Sequence, residues 1–326
     1  MSENIEISVI IPTYNRSSSL EKTLIGLSKQ NLDHLKYEIL VIDDGSSDNT
    51  FETVNNFINR NPELQLTYIK HRKNMFKAAA CNTGIKNAQG KIIAFTDDDI
   101  IPEPVWLRSH LNRHKSEKHY IAVSGLVLYP KEWENKSNWV RFANSNYQAS
   151  KKQDFKNTGG LSPRRFAGGN SSVAREILIN VGLFDENLRR GQDVELAYRL
   201  QQKGIPIIFE ENALVFHYAE AILSIEKTIK SFRKYYEKDR LTILDKNPDF
   251  FNNYGHWYLE PINNKKDDFK KILTKRIVRV ISKKKIQKKI ISFLNNTDKY
   301  KWLYIRLLHQ YVYACEAIDA IDESYR

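Results

Sequence analysis

Along the first part of the chain, apolar and polar positions alternate in two rhythms. Ile7 to Ile11 is a short β-branched run stopped by Pro12, the pattern of a buried strand. Leu20, Leu24 and Leu27 then recur at helical spacing, behind Ser17 to Ser19, which offer caps. A second apolar strand, Tyr37 to Asp43, is followed by a helix from about Asn49 to Arg60 and a strand Leu66 to Lys70. A helix around Ala78 to Ala88 precedes a third strong strand, Lys91 to Thr96. This alternation predicts an α/β fold with a mostly parallel central sheet covered by helices.

The middle of the chain is less regular. It holds a Gly168-Gly169-Asn170 turn, a helix near Ala174, the loop Gly182 to Glu186, and a helix over Gln192 to Lys203. Strands follow at Ile205 to Glu210 and Ala213 to His217. From about 225 onward the sequence turns helical, Lys-rich and aromatic. The expected division is an α/β domain over 1–225, split near 120, and a helical region over 226–326.

Composition sharpens that division. Of the net charge of +12, residues 1–226 carry +1 and residues 227–326 carry +11. A near-neutral body with a basic end speaks of partners rather than fold. No apolar run approaches the length of a membrane span. The N-terminus lacks a basic leader, and its apolar run ends at Pro12, so a cytoplasmic location is expected. Cys81 and Cys315 match no metal or redox spacing and read as unpaired buried thiols.

In parallel sheets ligands sit at the carboxyl ends of the strands. Three strands here end in polar or acidic residues, Thr13 to Arg16, Asp43 to Ser47 and Asp97 to Asp99, which converge on one crevice. Three successive carboxylates repel one another unless a cation or hydrogen bonds compensate. Asp97 and Asp99, pointing the same way in extended chain, suit Mg²⁺ or Mn²⁺; the alternative is an acidic turn capping the next helix. Asp44 either caps a helix or accepts from a nucleobase imide or a ribose hydroxyl. Asp193 sits at a helix start, where a cap and a general base are both open readings. His217 closes an apolar strand, as a structural residue or as a third metal ligand. Arg199 is expected to pair with an internal carboxylate.

Taken in order, Ser8 to Arg16, Val41 to Asp48, Asn82-Thr83-Gly84 and Ala94 to Asp99 resemble the successive motifs of glycosyltransferase family 2. Gly168-Gly169-Asn170, Gly182 to Glu186 and Asp193 to Leu196 continue the resemblance, which covers about residues 5 to 220. It implies a GT-A fold whose first half binds a nucleotide sugar and whose second half binds the acceptor. The donor site implied comprises Pro12, Thr13, Tyr14, Arg16, Asp43, Asp44, Lys77, Asn82, Asp97 and Asp98, with uridine as the usual nucleoside. Asp97, Asp99 and His217 would hold Mn²⁺ or Mg²⁺, and Asp193 would be the base of an inverting hexosyl or N-acetylhexosaminyl transfer. Gly169, Asn170, Gln192 and Glu195 are expected to face a carbohydrate or glycoconjugate acceptor. Gln192 stands where the family often has an acid. Met75 and Cys81 replace a glycine and an arginine, leaving Lys77 or Arg72 to meet the donor phosphates.

Rival classes are a nucleotidyltransferase, a dehydrogenase, or a non-catalytic carbohydrate- or partner-binding protein on the same fold. No glycine-rich dinucleotide fingerprint follows the first strand, which weighs against the dehydrogenase. In the basic end, Phe269, Leu273, Ile277, Val280 and Ile281 form a helical stripe among lysines and arginines. Packing on the catalytic domain, attachment to the anionic inner face of a membrane, and homodimerisation are the readings. No nucleic-acid motif accompanies the charge. The final apolar and aromatic helix, residues 298–319, requires burial.

Overall fold

The computed structural model describes residues 5–145, 151–152, 160–234, 237, 239–247, 261–264, 267–297, 300 and 305–324. They fall into two compact units, Met1–Leu128 with Asn146–Tyr218, and Tyr129–Ser145 with Ala219–Arg326.

The first unit is built on an eight-stranded sheet in the order β3-β2-β1-β4-β7-β6-β8-β5. Its strands are β1 (Ile7–Thr13), β2 (Tyr37–Asp43), β3 (Leu66–Lys70), β4 (Ile92–Thr96), β5 (Ile100–Pro102), β6 (Ala122–Leu128), β7 (Asn170–Ala174) and β8 (Ile207–His217). β3, β2, β1 and β4 run parallel, as the strand–helix alternation predicts. β7 then runs antiparallel to both β4 and β6, and β6 runs parallel to β8. Two reversals restore the original direction, so His217 ends its strand at the same edge as Thr13, Asp43 and Thr96.

Side chains alternate across the sheet. Ile7, Val9 and Ile11 pack with Leu20, Leu24 and Leu27 of α1 (Ser17–Ser28), with Val54 and Phe57 of α2 (Thr50–Arg60), and with Trp106 and Leu107 of α4 (Trp106–Ser116). Ile10 faces the other way, toward Ala80, Cys81 and Ile85 of α3 (Phe76–Asn87), Leu178 of α5 (Arg175–Asn180), and Leu196 and Leu200 of α6 (Gln192–Gln202). Helices therefore cover both faces, and every residue of β1 is buried.

Three readings change. The two strands expected before His217 are one, β8, whose pairing with β6 shifts register between Gly125 and Leu126. The glycine turn at 168–169 leads into an unforeseen strand, β7, and the helix expected near Ala174 follows it as α5. β5, α4 and β6 are additions to the predicted elements.

The second unit is helical: α7 (Ile225–Lys234), α8 (Arg240–Lys246), α9 (Phe269–Ile281), α10 (Lys284–Thr297) and α11 (Ile305–Ser324). Ile225, Ile229, Leu294, Val312 and Tyr313 form its core. Arg233 is held by Glu237, Glu316, Asp319 and Glu323. The basic run read as one helix breaks at Ser282–Lys283 into α9 and α10. Both cysteines are buried and unpaired. No helix among the described residues is long and apolar enough to cross a membrane.

Candidate active site at the strand tips

A cleft of about 490 Å³ opens where β1, β2, β4 and β8 end, lined by Thr13, Arg16, Asp44, Lys77, Asp97, Asp98, Asp99 and His217 among others. A larger cavity of about 610 Å³ lies where β1 and β4 begin, between Ile5, Glu6, Lys91 and Ile92. Glu6 there is paired with Lys36 and Lys115, and none of the strand-tip carboxylates reaches it. The chemistry belongs to the smaller cleft.

Asp97, Asp98 and Asp99 join the end of β4 to the start of β5. Register then delivers a partner: Ile100 pairs with His217, which brings His217 Nε2 to 3.2 Å from Asp99 Oδ1. Arg16 Nη1 lies 2.5 Å from the other Asp99 oxygen and 3.4 Å from Asp98. Burial alone would raise the Asp99 carboxyl; the hydrogen bond and charge of His217 and the charge of Arg16 outweigh it and hold Asp99 well below the usual carboxylate range. Asp98 differs. It accepts from Thr13 Oγ1 at 2.8 Å and is deeply buried, and burial pushes its carboxyl up to about 6 against the pull of Arg16 and Thr13. Asp97 is paired with Lys77, from the first turn of α3.

Asp193 stands in the first turn of α6, after Gly191, whose φ of +73° suits glycine. Its carboxylate accepts from Gly168 N at 3.1 Å and Val194 N at 2.9 Å. Burial raises its carboxyl, while the charge of Lys77 and those two N–H groups pull it partly back. The Gly168-Gly169 turn lets the two acidic groups approach. A Cβ on Gly168 would sit 2.7 Å from Asp193 Oδ2, and one on Gly169 would sit 2.8 Å from Asp97 Oδ2. Asp193, Lys77 and Asp97 thus form one electrostatic cluster.

Other candidate residues are occupied by the fold. Asp43 accepts from Tyr68 and from Ser46 N, and is fully buried. Asp44 accepts from His71 and Met75 N at 2.8 Å and from Phe76 N at 2.6 Å, so most of its lone pairs shape the loop beside the cleft. Asn82 clamps the 182–186 loop, bonding Phe184 N, Phe184 O and Glu186. Asn170 accepts from Trp106 Nε1, contacts His110 Nε2, and donates to Leu126 O and Ala213 O, leaving no polar group for an acceptor. Glu195 binds Arg199, which also donates to Val181 O and Leu183 O. Gln192 is buried, and among the described residues its Oε1 finds no hydrogen-bond partner.

The cleft adds residues that the sequence reading assigned no part. Arg189 and Arg190 line it, and the Arg189 guanidinium lies 3.1 Å from the centroid of the Phe76 ring. Phe76 holds an unusual φ of +72°, its N–H drawn to Asp44. These pairings join residues distant in sequence, and charge count alone does not reveal them.

A divalent ion fits this donor set in part. Two neighbouring ligands of an octahedral ion at 2.0–2.1 Å lie about 3 Å apart, close to the spacing of Asp99 Oδ1 and His217 Nε2. Asp97 is turned to Lys77, and among the described residues no group of three or more His, Cys, Asp or Glu is gathered as a metal site. Asp99 and His217 are the pair that would hold such an ion.

The chain resembles known proteins over much of its length. A chondroitin synthase of Escherichia coli is 29% identical over 242 residues, which are 65% of this chain and 34% of that protein, so the match spans about a third of the relative's own length. Glycosyltransferase AglE of Haloferax volcanii is 30% identical over 230 residues, 70% of this chain and 71% of that one. Among solved structures, a mannosyltransferase from Pyrobaculum calidifontis, in complex with GDP-Man and Mn²⁺, shares the fold with a TM-score of 0.57 at 18% identity, covering 95% of this chain and 85% of its own. The profile of Glycosyl transferase family 2 matches residues 8–179, more than half of the 326-residue chain, and the chain belongs to that family.

Proposed function

We propose that this chain is an inverting glycosyltransferase that moves a hexosyl or N-acetylhexosaminyl group from a nucleoside diphosphate sugar to a hydroxyl of a carbohydrate or glycoconjugate. The observation that carries the reading is the Asp193–Lys77–Asp97 cluster beside a cleft that also holds Asp99 and His217. The acceptor hydroxyl attacks the anomeric carbon in line, and Asp193 takes its proton. Its raised carboxyl makes it a stronger base than a free aspartate. One displacement inverts the centre. Lys77, Arg189 and Arg190 supply positive charge to the departing diphosphate. Asp99 and His217 would hold Mn²⁺ or Mg²⁺, which acts as a Lewis acid on the leaving group.

The donor proposed is UDP-linked, as the family motifs imply. The mannosyltransferase holds GDP-Man, so the test compares both nucleotides. Likeness to a chondroitin synthase supports a role in polysaccharide or glycoconjugate synthesis. A cytoplasmic location, peripheral to the inner face of the membrane, belongs to the same reading.

A panel of nucleotide sugars, with products identified, tests the proposal. Release of a nucleoside diphosphate is expected; release of pyrophosphate from a nucleoside triphosphate would make the chain a nucleotidyltransferase. Asp99→Ala and chelation should each abolish turnover while circular dichroism stays unchanged. Full activity in chelator would remove the metal from the mechanism.

A further inference from the structure

We infer that the outward face of α9 docks on an anionic lipid surface, burying its apolar stripe in the interface and setting its cations among the headgroups. The inference deepens the peripheral location proposed above and rests on that reading only for its setting.

An ordinary surface helix turns its apolar stripe to the core. Helix α9 turns only part of its apolar surface inward: Val278 packs against Ala317, Ile318 and Ile321, and Ile272 is half-buried. Its outward stripe is Phe269, Leu273, Ile277, Val280 and Ile281, exposed by 80, 46, 52, 63 and 48%. Its inward side also carries charge. Lys275 is buried and bound to Asp267 at 2.7 Å, and Arg279 reaches Asp322 at 2.7 Å. Burying a cation costs more than burying a leucine, so packing alone does not explain why five apolar residues stay outside. Scattered exposed apolar residues need no explanation; five on one stripe do.

Charge selects the occupant. Residues 268–294 contain ten Lys and Arg and one acid; Lys275, Arg279 and Lys284 are paired with acids of the same unit, and the other seven are exposed. Lys270 and Arg276 of the same helix are exposed, and Ile286 and Phe293 of the lysine-rich α10 are also exposed. A second copy would set cations against cations. A nucleic acid would meet the cations but offer nothing to Phe269 and Ile277. An anionic bilayer has charge at its surface and hydrocarbon beneath, which is the combination this face presents.

The test uses the full chain without donor or metal, so its outcome is separate from that of catalysis. Co-sedimentation with vesicles of phosphatidylcholine alone, and of phosphatidylcholine with phosphatidylglycerol, is measured at low and high salt. Binding is expected only to the anionic vesicles and weaker in salt. Each cation is worth about 1 kcal/mol, or fivefold in partitioning, so Lys270→Glu/Arg276→Glu/Lys283→Glu should lower binding by about a hundredfold or more. Leu273→Asp/Ile277→Asp alters exposed positions only, and should also lose binding while donor hydrolysis persists. Equal binding to neutral vesicles, or binding untouched by the Leu273/Ile277 change, would overturn the proposal. So would a wild-type dimer that ignores vesicles and dissociates in that variant, which would assign the stripe to a second copy.

Discussion

At the scale of single residues, Asp193 brings stability and function into opposition. Its carboxyl is raised by burial, so its ionised form disfavours the fold: the group's contribution is present below the unfolded value and lost as pH rises through the folded one. Asp193→Asn should therefore raise the melting temperature at neutral pH while lowering turnover about 10²–10⁴-fold, with donor affinity retained. The wild-type rate should fall on the acid side at a pH above that of a free aspartate, a limb absent from the variant's residual activity. Loss of donor affinity at unchanged turnover would make Asp193 a binding residue. The acids at strand tips and at the α6 start were legible in the sequence because their clustering is local. Asn82 and Asn170 were not, since their partners lie 102 and 43 residues or more away, and a polar residue in a motif looks alike whether it faces ligand or core.

At the scale of elements, Asn170 ties β7 to β6, β8 and α4 by four hydrogen bonds. Asn170→Ala would strand Trp106 Nε1 and two carbonyls in the interior. Each buried orphan costs about 1–3 kcal/mol, so urea unfolding should show a loss of roughly 3 kcal/mol or more with little change in slope. A loss under 1 kcal/mol would mean that water replaces the amide. The parallel half of the sheet was readable because β1, β2 and β4 are short, largely apolar runs alternating with helical segments. The antiparallel half was harder. β5 has three residues, too few for a period, and β7 follows a glycine pair that reads as a turn. β8 carries Glu210, Glu211 and Asn212 at its register shift, which split it on paper.

At the scale of the molecule, two units with separate cores should melt as two events. Adding donor nucleotide should raise the transition of the first unit. Arg233→Ala, which removes the cation held by Glu237, Glu316, Asp319 and Glu323, should lower the transition of the second and leave the other in place. A single transition moved by both would show one cooperative system. The molecule also treats charge in two ways, leaving lysines such as Lys283, Lys285, Lys288 and Lys289 of its basic end exposed while pairing Lys77 and Arg16 of its cleft with acids. In the cleft Asp97 is matched by Lys77, and Asp99 by Arg16 and His217. A divalent ion arriving by itself must compete with the chain's own cations, whereas a nucleoside diphosphate gives Lys77 and Arg16 another anion to hold. Ion and nucleotide should consequently load as a pair, each tightening the other by the same factor, about 5–150-fold. Calorimetric titration of Mn²⁺ with and without nucleoside diphosphate reads that factor directly, and a factor of one would mean that the resting pairs offer the ion no competition.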